Sequence, residues 1–175
     1  MEWMLLPLKR YAEFSGRSRR MEFWMWVLFT VIVSVVLGVI DGILGFSTTR
    51  SSMSTSATGA GFSTMSSIGI LGGIWSLGTL IPSIAVSVRR LHDTDRSGWW
   101  ILLPALPYLA GIVVIVIGAA SGSFGLAGLG GVLMLIGVIC AIVLLVFYCL
   151  PGTAGPNKYG PDPLGGAASL SDTFA

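Results

Sequence analysis

Charged residues are scarce in this chain, and their scarcity excludes most classes of soluble protein. Only 10% of its 175 residues are Asp, Glu, Lys or Arg, and 54% are hydrophobic, whereas soluble domains carry about 25% charged residues. The 61 residues from Ser97 to Asn157 contain no charged residue at all. Intrinsic disorder requires the opposite composition, with many charges and few apolar residues. The sequence therefore predicts an integral membrane protein, and its length allows one domain.

The sequence also lacks the motifs that usually accompany catalysis or metal binding. Its two cysteines form no CxxC pair, and with a single histidine they provide no Cys/His ligand set. Walker, GxSxG, HExxH and glycine-rich dinucleotide motifs are absent. We therefore assign no catalytic residue, metal site or cofactor. A net charge of +2 is too small to indicate a nucleic-acid partner.

Long apolar runs are what the sequence has in abundance. Because a bilayer core of about 30 Å requires about 20 helical residues, the runs predict an all-α fold with four transmembrane helices, at residues 22–46, 68–88, 98–118 and 126–150. We expect one transmembrane domain over residues 1–163 and a flexible tail at residues 164–175. A short interfacial helix is expected at the N-terminus, because Met4, Leu8 and Tyr11 follow a helical spacing. The loop of residues 47–67 is rich in Ser and Thr and is expected to be mobile.

The distribution of Lys and Arg predicts the orientation of the helices. With four spans, nine of the ten basic residues fall in the N-terminal segment, the second loop and the tail, and Arg50 alone falls on the opposite side. Short cytoplasmic loops are enriched in Lys and Arg. Both termini are therefore predicted to lie in the cytoplasm.

Three polar segments flank the predicted helices on this side. They are Phe14–Trp24 (Phe-Ser-Gly-Arg-Ser-Arg-Arg-Met-Glu-Phe-Trp), Arg89–Trp100 (Arg-Arg-Leu-His-Asp-Thr-Asp-Arg-Ser-Gly-Trp-Trp) and Asn157–Pro163 (Asn-Lys-Tyr-Gly-Pro-Asp-Pro). An antiparallel bundle of four helices would bring all three to one end.

In these three segments the chain resembles the YhaH-like bacterial inner membrane proteins, the family called domain of unknown function 805. The segments occur in the family's order and span nearly the whole chain. The central motif is the most specific, although Asp95 stands where glycine is common in the family. The resemblance implies a multi-span protein of the bacterial inner (plasma) membrane, and it supplies no activity and no catalytic residues.

The candidate functional residues come from these segments. We expect the arginines to bind an anionic ligand or lipid headgroup; they are Arg17, Arg19, Arg20, Arg89, Arg90 and Arg96. A polar network is expected among Glu22, His92, Asp93, Asp95, Asn157 and Tyr159. Four tryptophans are expected to anchor the helices at the interface, namely Trp24, Trp26, Trp99 and Trp100. Within the network, Asp93 or Asp95 is expected to pair with arginines of the first segment, and Glu22 with Arg89 or Arg90.

Three functions remain open at this point. The leading hypothesis is a non-enzymatic protein whose cytoplasmic platform binds anionic phospholipid or a protein partner, with a homo-oligomer as a further alternative. A second hypothesis is a membrane enzyme that acts on a lipid or isoprenoid phosphate through His92 and Asp93. The third is a small transporter that uses Asp41, an ionisable residue inside the first apolar run.

Overall fold

The computed structural model describes residues 2–47, 49–56, 59–66 and 69–163. In chain order its elements are α1 (Glu2–Lys9), α2 (Arg20–Ile43), β1 (Thr49–Ser56), β2 (Gly59–Ser66), α3 (Ile70–Asp93), a short 3₁₀ helix (Gly98–Ile101), α4 (Leu102–Ser121) and α5 (Phe124–Cys149). The predicted flexible tail, residues 164–175, lies outside the described residues.

Among the described residues, four helical segments are long and apolar enough to cross a membrane, which confirms the predicted four-helix architecture. They are α2, α3, the 3₁₀ helix continued by α4, and α5, with 24, 24, 24 and 26 residues. At 1.5 Å per residue, 24 residues extend about 36 Å, more than the hydrocarbon thickness of about 30 Å. We call the end where α2 begins and α3 ends the polar end.

The end of α3 differs from the prediction. The helix continues beyond residue 88 to Asp93, so the predicted link of residues 89–97 shrinks to residues 94–97. Asp95 adopts a left-handed conformation, with φ of 57°. Its N–H donates to the carbonyl of His92 over 3.0 Å, and the N–H of Arg96 donates to that of Leu91 over 3.0 Å. These two bonds form a Schellman motif, so the chain turns tightly although Asp95 is not glycine.

The helices associate as two antiparallel pairs, α2 with α3 and α4 with α5. Glycines let the backbones of α4 and α5 approach closely, as small residues do in membrane proteins. A Cβ atom on Gly111 would lie 3.0 Å from the carbonyl oxygen of Gly130, and one on Gly118 would lie 2.7 Å from the nitrogen of Ala127. These four residues therefore lie where the backbones of α4 and α5 are in close contact.

The two helix pairs meet at the polar end. A buried apolar core there includes Phe23 and Trp26 of α2, Leu91 of α3, and Leu144 and Tyr148 of α5. The rings of Phe23 and Tyr148 are 4.4 Å apart. Elsewhere along the four helices most large apolar side chains are exposed, as expected for surfaces that contact lipid. The core thus supports the polar residues beside it.

The loop between α2 and α3 contains an antiparallel hairpin, which the all-α prediction did not include. β1 pairs with β2 in a register that runs from Thr49 opposite Ser66 to Ser56 opposite Gly59. The backbone amides of this Ser- and Thr-rich segment are therefore paired in a ladder.

The N-terminal helix packs against α2 and α3. Pro7 is fully buried, and Leu8 contacts the apolar core. The helix ends at Lys9, so Tyr11 lies in the turn after it. This arrangement joins the segment before α2 firmly to the sides of both helices.

At the opposite end of the pair, Asp41 of α2 caps the start of α3. Its carboxylate accepts hydrogen bonds from the backbone N–H groups of Leu71 (3.1 Å) and Gly72 (2.9 Å). A Cβ atom on Gly69 would overlap the Asp41 side chain. Asp41 therefore satisfies amides that the first turn of a helix leaves without partners.

Candidate functional site at the polar end

Three segments that are distant in sequence meet at the polar end. The chain before α2 contributes Arg17, the last turn of α3 contributes Asp93, and the chain after α5 contributes Thr153. The convergence predicted from an antiparallel order of helices is therefore present, and Asp93 lies at its centre.

The carboxylate of Asp93 lies between two guanidinium groups. Nε and Nη2 of Arg17 are each 2.9 Å from its Oδ1, and Nη1 of Arg90 donates to Oδ2. All three side chains are buried. A Cβ atom on Gly152 would overlap the carboxylate, so the chain after α5 closes over it. Of the two acids that were predicted to pair with an arginine of the first segment, Asp93 forms that pair, with Arg17, and Asp95 does not.

Arg90 also holds the end of α5. Its Nε donates to the carbonyl of Tyr148 over 3.1 Å, and its Nη2 donates to that of Leu150. The last carbonyl groups of a helix have no partner within the helix, and a cation there complements the helix dipole. Arg90 is therefore a C-terminal cap for α5 as well as a partner of Asp93.

Arg17 holds the chain that follows α5. Its Nη1 and Nη2 donate to the carbonyls of Gly155 and Thr153, each over 2.6 Å. Thr153 in turn donates from its N–H to the carbonyl of Asp93 over 2.8 Å. The donors of Arg17 are therefore directed at groups of the chain itself.

A second buried ion pair joins α2 to α3. Nη2 of Arg89 donates to Oε1 of Glu22 over 3.0 Å, and both side chains are buried. The exposed carboxylate of Glu13 is 3.8 Å from Nη1 of Arg89. In the described part of the chain, Nε and Nη1 of Arg89 have no hydrogen-bond partner. The expected pairing of Glu22 is present, and its partner is Arg89.

The third motif braces the end of α3. The ring of Tyr159 stacks on that of His92, with centroids 3.8 Å apart and planes 3° apart. Nδ1 of His92 is 3.2 Å from the carbonyl oxygen of Gly16. Asn157 donates from Nδ2 to the carbonyl of His92 over 2.9 Å and accepts from the N–H of Tyr159 over 2.9 Å. The expected network thus includes His92, Asn157 and Tyr159.

Asp95 and Arg96 lie at the edge of this network. Asp95 is 3.6 Å from the amino group of Lys158, and both side chains are exposed. The guanidinium of Arg96 lies 3.9 Å from the ring centroid of Phe147. Both contacts are of the kind that solvent or lipid can compete with, in contrast to the buried pairs.

The four tryptophans occupy different environments. Trp99 is 78% exposed, and Trp24 and Trp100 are also exposed, as interfacial anchors should be. Trp26 is only 1% exposed and donates from Nε1 to Oγ of Ser83 over 3.1 Å. The anchoring role predicted for Trp26 is therefore wrong, because that indole belongs to the core.

A cleft of about 410 Å³ opens beside the buried pairs, and we call it the arginine cleft. The basic side chains that line it are Arg10, Arg17 and Arg19, and the acidic ones are Glu22 and Asp162. Arg10 is exposed and lies 3.6 Å from Glu13. Among the side chains that line the cleft, three are therefore basic and two are acidic.

The six candidate arginines fall into two groups. Arg17, Arg89 and Arg90 are buried. The donors of Arg17 and Arg90 bond to carboxylates and carbonyls of the chain, so the structure contradicts a direct role for these two residues in binding an external anion. Arg89 bonds to Glu22 through Nη2, and its Nε and Nη1 have no hydrogen-bond partner among the described residues. The other three arginines lie nearer the surface. Arg19 donates to the carbonyl of Pro163, and Arg20 is exposed. The guanidinium of Arg96 lies over the ring of Phe147.

Several residues of the site were missed in the sequence. Thr153, Gly155, Tyr148 and Leu150 contribute carbonyl groups to the arginines. Every residue carries a carbonyl, so this role leaves no signature in side-chain type. The available signal was the short connection of residues 151–156 between α5 and the third motif. Because this connection must turn near the arginines, its carbonyl groups could have been expected to contact them.

The fold and this site define a class: a four-span α-helical membrane protein in which buried ion pairs join the helices at one end. The chain belongs to the family described as Protein of unknown function (DUF805), whose model matches residues 11–161.

Curated relatives agree with that assignment. The chain is 35% identical to Inner membrane protein YhaI of Escherichia coli (strain K12), over 93% of this chain and 96% of that protein. It is 34% identical to Inner membrane protein YhaH of the same strain, over 93% and 97%. Uncharacterized protein YiiR of that strain is 32% identical over 85% and 84%. No solved structure matches the chain at a significant level.

Proposed function

We propose that the chain is a non-enzymatic protein of the bacterial inner membrane whose polar end faces the cytoplasm and binds the headgroup of an anionic phospholipid in the arginine cleft. The cleft carries the proposal, because three guanidinium groups against two carboxylates line one concave surface. Guanidinium groups bind phosphate through charge-assisted hydrogen bonds.

Arg10 is the side chain best placed to contact the headgroup. Its ion pair with Glu13 is exposed, and water screens such pairs, so that they contribute little to stability. The donors of Arg17 are engaged, so that residue contributes positive charge to the cleft and holds its wall. Arg10 can therefore turn toward a phosphate without breaking the buried network.

The orientation rests on charge and on the relatives. Nine of the ten basic residues belong to the segments at the polar end, and basic residues mark the cytoplasmic side of inner-membrane proteins. Two relatives are named inner membrane proteins. In this orientation the arginine cleft meets the cytoplasmic leaflet, where anionic lipids attract basic residues.

Asp93 is the acid of the enzyme hypothesis and Asp41 is the acid of the transporter hypothesis. The environments of both residues support a non-enzymatic role. Both carboxylate oxygens of Asp93 accept from buried arginines, and the chain at Gly152 covers them, so Asp93 is not positioned to exchange a proton with a substrate. Asp41 is 1% exposed and bonds to the amides at the start of α3. The geometry gives each acid a structural function.

Native mass spectrometry of the full chain in mild detergent tests the proposal, with phosphatidylglycerol and phosphatidylcholine of identical acyl chains as probes. The wild type should retain phosphatidylglycerol preferentially. Arg10→Gln should reduce that preference about tenfold, the effect of losing one hydrogen bond to a charged group.

Lys9→Gln is the matched control, because Lys9 is exposed, carries the same charge and does not line the cleft. It should leave the preference unchanged. Equal losses in Arg10→Gln and Lys9→Gln, or no preference in the wild type, would contradict the proposal. Loss of a co-purifying protein rather than of lipid in Arg10→Gln would also contradict it and would indicate a protein partner.

A further inference from the structure

A second cleft lies between the last turns of α3 and the start of α4, and Phe14 also lines it. Its volume is about 400 Å³, which is within the range of small-molecule sites. We call it the α3–α4 cleft. None of the arginines of the arginine cleft lines it, so the two clefts can be tested separately.

The α3–α4 cleft has apolar side chains at one end and polar side chains at the other. Ile84 and Val88 of α3 and Leu102 of α4 form apolar walls. His92 and Ser97 provide polar side chains near the end of α3. Ile84 and His92 are eight residues apart, which corresponds to about 12 Å along a helix. The cleft is therefore apolar toward the middle of the spans and polar toward the polar end.

The depth of the cleft matches this polarity. Trp99, which also lines it, is 78% exposed, and exposed indoles settle at the headgroup level of a bilayer. The polar side chains thus lie at the headgroup level, and Ile84 lies in the hydrocarbon. A phospholipid has the same order of groups, with its phosphate at the interface and its chains below.

A cation lies next to the aromatic stack that includes His92 of the cleft wall. The stack on Tyr159 fixes the ring of His92, and the amino group of Lys158 is 5.1 Å from the centroid of the Tyr159 ring. Lys158 has an exposed side chain whose partner, Asp95, is 3.6 Å away. The exposed ammonium group of Lys158 therefore adds positive charge next to the ring that stacks on His92.

We propose that the α3–α4 cleft binds one anionic phospholipid, with an acyl chain against Ile84, Val88 and Leu102 and the phosphate beside His92. This site is separate from the arginine cleft and does not depend on it. The lipid in this cleft would be bound at a specific site between the two helix pairs, in contrast to the bulk lipid that surrounds the spans.

Photochemical labelling of the full chain in vesicles tests this site. The probe is phosphatidylglycerol with a diazirine on one acyl chain, in excess phosphatidylcholine, and the labelled peptides are identified by mass spectrometry. In the wild type the label should concentrate on the peptides that contain Ile84 and Leu102. Ile84→Trp, which fills the cleft, should reduce this labelling about tenfold, as displacement of a few methylene contacts does.

Two further variants keep the test decisive. Leu102→Trp fills the cleft from the opposite wall and should give the same loss if Ile84→Trp folds poorly. Leu77→Trp is the matched control, because Leu77 lies on the same helix, is 72% exposed and does not line the cleft. Its labelling should equal that of the wild type.

The outcomes separate this proposal from the arginine cleft and from dimerisation. Even labelling of all exposed helix faces, or no loss in either tryptophan variant, would overturn the proposed site. A dimer in the wild type that dissociates in Ile84→Trp without change in lipid labelling would show that a second copy occupies the cleft. Arg10→Gln should alter headgroup preference and leave the chain labelling unchanged.

Discussion

The hydroxyl of Tyr11 donates a hydrogen bond to the carbonyl of Gly78 over 2.7 Å. Gly78 is four residues before Pro82, and proline has no N–H to donate to the carbonyl of residue i−4. Tyr11 therefore supplies the donor that α3 lacks at this turn. Gly78 is 15 residues before the end of α3, about 22 Å along the helix, where an unpaired carbonyl in lipid is costly.

Tyr11→Phe should lower the free energy of unfolding by about 1 kcal/mol, because it removes this donor and leaves the carbonyl of Gly78 without a partner. The measurement is thermal or denaturant unfolding of the full chain in detergent. In a Pro82→Ala background the new N–H of residue 82 can donate to Gly78, so Tyr11→Phe should then cost less. An equal cost in both backgrounds would contradict the assignment.

Asp93→Asn should destabilise the chain by about 3 kcal/mol or more, because it leaves Arg17 and Arg90 buried without their shared anion. The midpoint of unfolding measures this loss. Asp95→Asn is the matched control: Asp95 is exposed, and asparagine also tolerates its left-handed backbone. The control should change stability by no more than about 0.5 kcal/mol. Similar losses in the two variants would refute the central role of Asp93.

Glu22→Gln and Arg89→Met should each be strongly destabilising, since each leaves one buried charge without its partner. The double variant should be less destabilised than the sum of the two single variants, with a coupling of about 1–3 kcal/mol. Unfolding measurements on all four proteins complete the cycle. Additive effects would mean that the pair contributes nothing beyond its separate side chains.

Asp41→Ala should lower stability by about 1 kcal/mol, the usual effect of removing a helix N-cap. Gly69→Ala should be poorly tolerated in the wild type, because its Cβ would overlap Asp41. In an Asp41→Ala background the same change should be tolerated. If Asp41→Ala left stability unchanged, the cap would be unimportant, and an intramembrane role for the acid would have to be examined by flux measurements.

The sequence did not reveal which of the two acids in the central motif pairs with the first segment. Both Asp93 and Asp95 could have paired with the first segment, because they are only two residues apart. The Schellman turn decides between them: it keeps Asp93 on the last turn of α3, facing Arg17, and rotates Asp95 outward toward Lys158. That choice depends on one backbone angle.

The glycines at the helix contacts could likewise be identified only in part from the sequence. The sequence contains three sets of closely spaced glycines of the kind that allow helices to pack tightly: Gly38 and Gly42 on α2, Gly69 and Gly73 at the start of α3, and the run Gly128–Gly131. In the structure nothing lies within 4 Å of a Cβ on Gly38 or Gly73, whereas Gly69 and Gly130 do make close approaches. Further close approaches occur outside these sets, at Gly111, Gly118 and Gly137. Spacing alone cannot show which face of a helix meets a neighbour.

The sequence by itself determined that four helices span a membrane and that the ionisable residues gather at one end. Transfer of each residue into lipid has a free energy that depends mainly on its own chemistry, so a one-dimensional pattern is sufficient. Only the tertiary structure decided that Trp26 is core, that Arg17 and Arg90 share Asp93, and that backbone carbonyls complete their coordination. Those contacts depend on distance and direction between segments up to 138 residues apart, which no local pattern encodes.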